Sequence, residues 1–153
     1  MGGMAKLPRV ARIGLVFLAS NVLGYVLAVA YNLPSCANGC NPGSTSWPGM
    51  LTSGNGLEAP WYLVTVFVLA LWLNARRDRW GMIGTVLAAL YGIAYIGGES
   101  SEPFNLWANQ NNNGLEVFLW ASFALAGGTV IEAVLEIVIR ARNGWRLPAE
   151  KPA

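Results

Sequence analysis

Apolar residues run along the chain in four long stretches, separated by segments rich in polar residues, glycine and proline. The stretches cover residues 10–31, 58–74, 80–98 and 115–139. Each is continuously apolar rather than alternating, which favours helices over strands. A helix needs about 20 residues, within a range of about 17 to 25, to cross a hydrocarbon core roughly 30 Å thick. We therefore predict an all-α integral membrane protein built as a four-transmembrane-helix bundle.

The composition agrees with a membrane domain. Of the 153 residues, 54% are hydrophobic and 12% are charged. An ordinary soluble domain contains about 25% charged residues. We expect residues 1–153 to form a single membrane domain.

All ten lysines and arginines lie on one side of the pattern. They precede or begin the first span, separate the second from the third, or follow the fourth: Lys6, Arg9, Arg12, Arg76, Arg77, Arg79, Arg140, Arg142, Arg146 and Lys151. Cytoplasmic loops carry such an excess, so we predict a protein of the cytoplasmic (plasma) membrane with both termini in the cytoplasm. The net charge of +2 then indicates contacts with membrane lipids, and not with nucleic acid.

The first span admits a second interpretation. Its basic start, its apolar stretch and the sequence Ala28-Val29-Ala30 also fit a cleavable signal peptide. We expect a retained signal anchor, which keeps the number of spans at four.

Two long loops, 32–57 and 99–114, lie on the side without lysine or arginine, and we predict that they form a loop-rich extracytoplasmic cap. Cys36 and Cys40 lie in the first of them. An extracytoplasmic compartment favours oxidation, and the nearby glycine and proline residues favour a tight bend, so we expect a structural disulfide. A thiol redox pair is the alternative, although the spacing is C-x3-C and the sequence has no second pair.

The absence of histidine narrows the chemistry. It excludes the usual haem ligands and the zinc sites built on imidazole. We predict no metal site and no cofactor.

The tetrapeptide Asn-Gly-Leu-Glu occurs at 55–58 and again at 113–116, each time near the outer start of a span. The echo hints at two helix-hairpin halves. An Asn N-cap with a Glu three residues later is also the pattern of a capping box. Pro60 suggests that the second helix starts near residue 58 or 59. A rival hypothesis places Glu58 and Glu116 together at the mouth of a cavity.

Charged residues in the fourth span are the strongest candidates for function. Glu132, Glu136 and Arg140 repeat every four residues and share one face of a helix. Glu136 and Arg140 can pair at the membrane interface, whereas Glu132 lies about 12 Å further in, where an unpaired carboxylate is costly. Asn21 of the first span lies at a comparable depth, so we predict an Asn21–Glu132 contact. Further possible members are Thr85, Tyr91 and Thr129.

Two roles remain open for this contact. It could be a structural bond between helices, or Glu132 could be a protonatable carboxylate in a transport or catalytic cavity. The catalytic candidates are therefore Glu132, Glu58 and Glu116. Activity that survives the change Glu132→Gln would argue against proton transport.

Small residues form stripes that let helices approach closely. The stripes are Gly84, Ala88 and Gly92 in the third span, and Ala124 with Gly128 in the fourth. They could join the four helices or bind another subunit.

The leading functional hypothesis is an accessory or assembly subunit of a larger membrane complex, with a membrane-protein partner or a second copy of itself. The alternative is a membrane enzyme or carrier for a lipophilic small molecule that uses an intramembrane or cavity-mouth carboxylate. A cavity leading to one of the carboxylates would favour the alternative. A filled interior in which Asn21 satisfies Glu132 would favour the subunit.

Overall fold

The computed structural model describes residues 7–31, 57, 59–99 and 114–145. They form the helices α1 (Arg9–Ala30), α2 (Trp61–Asn74), α3 (Arg79–Glu99) and α4 (Leu115–Arg142). The described part of the chain contains no strand, which confirms the all-helical prediction. Cys36, Cys40 and Glu58, and with them the predicted disulfide and one catalytic candidate, lie outside the described residues.

The helices form an antiparallel ring in which each helix packs on the next and α1 closes the ring against α4. The backbones of the diagonal pairs, α1 with α3 and α2 with α4, make few contacts. Gly14 near the start of α1 packs against Leu71 near the end of α2. Ile13 packs against Gly128 of α4. The start of α1, the α2–α3 connection and the end of α4 therefore share one end of the bundle, here named the basic end because its arginines cluster there.

Three of the helices, α1, α3 and α4, are long and apolar enough to cross a membrane. The exception is α2, whose 14 residues correspond to about 21 Å. The predicted second span began at residue 58, whereas α2 begins at Trp61 with Pro60 as its N-cap. Proline has no backbone N–H and disfavours helical geometry in the residue before it, so the helix cannot extend smoothly back through Pro60.

Buried, non-helical backbone precedes α2. Leu57 is fully buried and Ala59 is 8% exposed. The Tyr25 hydroxyl of α1 donates a hydrogen bond to the Ala59 carbonyl. The Tyr95 hydroxyl of α3 donates to the Leu57 carbonyl at 3.1 Å. Two tyrosines thus act as hydrogen-bond donors to these carbonyls, which lie outside the helices, as buried backbone requires.

The start of α4 corrects the capping-box prediction. The N-cap is Gly114 and not Asn113, it has a left-handed φ of 80°, and no side chain caps it. Glu116 is then the second residue of the helix, where a carboxylate still lies in the first turn and is favoured by the helix dipole. α2 begins at Trp61, three residues after the first Asn-Gly-Leu-Glu sequence ends, whereas α4 begins at Leu115, within the second.

Small residues of α3 are used inside the bundle. A Cβ atom added at Gly84 would lie 2.2 Å from Asn74 N and 2.5 Å from Ala70 O. A Cβ atom at Gly92 would lie 3.1 Å from Ala126 O. Ala88, between the two glycines, is fully buried. The predicted stripe on α3 therefore holds α2, α3 and α4 together and is not available to a partner.

The outside of the bundle is apolar on every helix. Val22, Leu69, Ile93 and Ile131, one from each helix, are all more than half exposed. Several polar side chains lie inside instead, as described below. This distribution is the reverse of that in a soluble domain and is compatible with a membrane location.

We expect Gly84→Ala to destabilise the protein by about 1–3 kcal/mol, because the added methyl meets backbone atoms of α2 that cannot move aside. Gly97→Ala is the matched control, since a Cβ there meets nothing within 4 Å. Thermal unfolding in detergent, followed by tryptophan fluorescence, measures both. Equal melting temperatures for the two variants would contradict the close α2–α3 packing.

Candidate functional site

The polar side chains buried in the bundle belong to all four helices. They are Asn21, Asn74, Thr85, Ser122, Thr129, Glu136 and Arg140. Two groups form bonds between helices: a network near the basic end and a separate contact between α1 and α3. Thr129, a predicted member of the site, instead donates to the Leu125 carbonyl of its own helix at 2.8 Å.

The network near the basic end is centred on one oxygen of Glu136. Arg140 Nε donates to Glu136 Oε1 at 2.8 Å, one turn along α4. Asn74 Nδ2 of α2 donates to the same oxygen at 2.6 Å. Thr85 Oγ1 of α3 lies 2.9 Å from it. A single carboxylate oxygen therefore joins three helices, including the diagonal pair α2 and α4.

The guanidinium of Arg140 closes the end of α2. Its Nη2 donates to the carbonyls of Asn74 and Arg76, both at 3.1 Å, and its Nη1 donates to the Asp78 carbonyl at 3.2 Å. Helix C-termini leave carbonyls without helical partners, and a cation there is favoured by the helix dipole. Gly81 leaves room for this arrangement, because an added Cβ would lie 2.5 Å from Arg140 Nη1.

The predicted pairing of Glu136 with Arg140 is confirmed, and the pair is buried inside the bundle. The Arg140 side chain is fully buried and that of Glu136 is 7% exposed. Sequence reasoning noted Thr85 but missed Asn74, which ends an apolar run beside an arginine-rich turn and so resembles an ordinary helix end. The one available signal was the position of the Asn74 amide at the last residue of α2, directly before the α2–α3 connection.

The second group joins α1 to α3, the other diagonal pair. The Tyr91 hydroxyl donates to Asn21 Oδ1 at 2.5 Å. Asn21 Nδ2 donates to the Phe17 carbonyl at 2.8 Å. Both ends of the amide are thus used, and the predicted Asn21–Glu132 contact is wrong.

The helix register explains this correction. Ile13 faces Gly128, so Glu132 lies one turn closer to the basic end and level with Arg9. Asn21 is twelve residues beyond Arg9, a rise of about 18 Å. Counting depth from Arg140 failed because α4 continues well past the level at which α1 begins.

Glu132 lies on the side of the bundle, half-buried. It lines an open pocket of about 290 Å³ together with Arg9, Arg12 and Ile13. Within the described ranges, no hydrogen bond or ion pair involves the Glu132 side chain. Glu116, the other described catalytic candidate, lies at the opposite end of α4, so the structure does not bring these two carboxylates together.

Aromatic rings pack around the Asn21–Tyr91 contact. Phe67 stacks on Tyr91 with ring centroids 4.3 Å apart, and Phe17 meets Tyr95 edge-on at 5.0 Å. Phe17 and Phe67 are fully buried. A second pocket, an apolar groove of about 250 Å³ between α1 and α2, opens outwards past Trp72. Neither this groove nor the Glu132 pocket is lined by the buried network.

Comparison of the chain with protein-family models, with curated proteins and with solved structures gives no match in any of the three.

We expect Arg140→Met to destabilise the protein by about 3–5 kcal/mol, because it leaves the buried Glu136 carboxylate without its cation. Arg142→Met, an exposed arginine in the same last turn, is the matched control and should change stability little. Replacing both members of the pair, Glu136→Leu with Arg140→Met, should recover part of the loss. Thermal unfolding measures the stability of these variants. Wild-type stability in Arg140→Met would show that the network is dispensable.

We expect Tyr91→Phe to cost about 1–3 kcal/mol, because Asn21 Oδ1 would remain buried without its donor. Tyr62→Phe, at a half-exposed tyrosine, provides the control. Chemical unfolding in mixed micelles gives both values. A smaller effect at Tyr91 than at Tyr62 would refute a role for this contact in joining α1 to α3.

Proposed function

We propose that this chain is a small polytopic membrane protein that acts as an accessory or assembly subunit of a larger membrane complex. One observation carries the proposal: the buried charged pair and the polar groups bonded to it join helices to one another, and a cluster of aromatic rings packs around the second polar contact. Glu136 and Asn21 have protein partners in place. Such an interior suits a rigid packing module better than a substrate cavity.

The proposed location is the plasma membrane, and the proposed topology places the basic end of the bundle on its cytoplasmic side. The described arginines at that end are Arg9, Arg12, Arg76, Arg77, Arg79, Arg140 and Arg142. Tryptophans with half or more of their surface exposed lie near both ends of the bundle: Trp72, Trp80 and Trp145 near the basic end, and Trp61 and Trp120 near the other. Clustered arginines and paired aromatic belts support insertion in this orientation. The Cys36–Cys40 disulfide in the proposed extracytoplasmic cap stays a prediction.

The outward face of α4 is the proposed docking face. Ala121 and Ala124 are exposed there, and a Cβ atom added at Gly127 would meet nothing within 4 Å. Small residues on an outward face let another helix approach closely. Trp120 and Ile131 flank this region and are both more than half exposed, which offers large side chains for contact.

A membrane enzyme or carrier for a lipophilic small molecule is the second candidate. The observation in its favour is the open pocket at Glu132. The pocket lies on the side of the bundle, and its lining residues do not include the interior network.

Site-specific photo-crosslinking in native membranes tests the subunit proposal. A photoreactive residue replaces Ile131 on α4, or the similarly exposed Val22, Leu69 or Ile93 on the other helices. We expect one discrete protein adduct from position 131, reproduced as a stoichiometric companion in native mass spectrometry. A probe at the buried Phe67 controls for non-specific labelling. Lipid adducts alone from all four outward positions would overturn the proposal.

A further inference from the structure

The pocket at Glu132 combines charges of both signs from two helices. Arg9 and Arg12 come from the first turn of α1, and Glu132 comes from α4. The contact between Ile13 and Gly128 fixes the register that sets Glu132 beside these arginines. The charge pattern is therefore a product of helix packing and cannot be read from either helix alone.

These charges do not neutralise one another. In the part of the chain that the structure describes, no ion pair within 4.0 Å joins Glu132 to either arginine. Arg9 and Arg12 are exposed, and Glu132 is half-buried. A pocket with separated, unpaired charges of opposite sign is complementary to a ligand that carries both an anion and a cation.

We propose that this pocket binds a phospholipid whose head group carries a phosphate and a primary ammonium, as in phosphatidylethanolamine. Arginine guanidinium groups form strong, charge-assisted hydrogen bonds with phosphate, and a carboxylate does the same with an ammonium N–H. A quaternary ammonium has no N–H to donate. The residues that line the pocket include none of the aromatic rings that choline sites use.

An apolar strip continues from the pocket along α1. Val16 and Leu23 lie on the same face as Arg12 and are 51% and 48% exposed. Leu23 is eleven residues beyond Arg12, a rise of about 16 Å, which is close to half of a hydrocarbon core roughly 30 Å thick. An acyl chain can therefore follow α1 through one leaflet while its head group occupies the pocket.

The size of the pocket suits a head group. Its volume of about 290 Å³ is at the lower limit of the range, roughly 300–1,000 Å³, of pockets for drug-sized ligands. This inference rests on the proposed membrane insertion, with the basic end among the lipid head groups, and is independent of any protein partner.

Native mass spectrometry of the purified full chain tests the proposal. The protein is mixed with equal amounts of phosphatidylethanolamine, phosphatidylglycerol and phosphatidylcholine that carry identical acyl chains. We expect preferential retention of phosphatidylethanolamine. Glu132→Gln should reduce that retention about tenfold, as expected for the loss of one charge-assisted hydrogen bond, and should leave phosphatidylglycerol retention unchanged or raised. Arg12→Gln should weaken retention of phosphatidylethanolamine and of phosphatidylglycerol alike, because each carries the phosphate.

Two matched variants control for general effects of charge. Arg142→Gln removes an exposed arginine at the same end, and Glu116→Gln removes a half-buried carboxylate at the other end. Neither should change lipid preference, and all variants should remain folded, as checked by thermal unfolding. Equal retention of the three lipids, preference for phosphatidylglycerol, or an unchanged preference in Glu132→Gln would overturn the proposal. Extraction of the protein from membranes by alkaline carbonate would also overturn the proposal, because it would show that the protein is not inserted in the membrane. Absence of a crosslinked partner would overturn only the proposed subunit function.

Discussion

The bundle depends on the hydrogen bonds that converge on Glu136 Oε1. Arg140 neutralises this carboxylate and, through its remaining nitrogens, satisfies carbonyls at the end of α2 and in the turn that follows. Asn74 bonds the same carboxylate and so ties α2 to α4 across the diagonal, where their backbones make few contacts. In the low-dielectric interior of the bundle these bonds support one another, and the loss of one member leaves the others buried without a partner. The close approach at Gly81 and Gly84 follows from the same constraint.

Sequence patterns were sufficient for the helices and insufficient for their register. Continuous apolar runs predicted four helices and their approximate ends, because a long apolar run without alternation is typical of a helix. Side-chain pairing depends on how far each helix slides along its neighbour, which no single span encodes. Asn21 was matched to Glu132 by depth, whereas the contact of Ile13 with Gly128 shifts α4 and sets Glu132 level with Arg9.

The sequence indicated that Pro60 shifts the start of α2, but it did not indicate which groups bond the backbone carbonyls that precede Pro60. The carbonyls left without helical partners are served by Tyr25 and Tyr95, which come from two other helices and stand far away in the sequence. In the sequence these tyrosines resemble membrane-interface residues, since tyrosine is common there for unrelated reasons. Only the packed bundle shows that their hydroxyls complete the backbone bonding of a third segment.

The diagonal ties constrain the order in which the protein can be built. Chains emerge from the ribosome N-terminus first, so α1 and α2 are synthesised before α3 and α4 exist. Asn21 then lacks the Tyr91 hydroxyl, and Asn74 lacks both Thr85 and Glu136. The first hairpin consequently exists for a time with two amides that lack their final partners, and the second hairpin supplies them. Neither diagonal tie can form until the second half of the chain has been made.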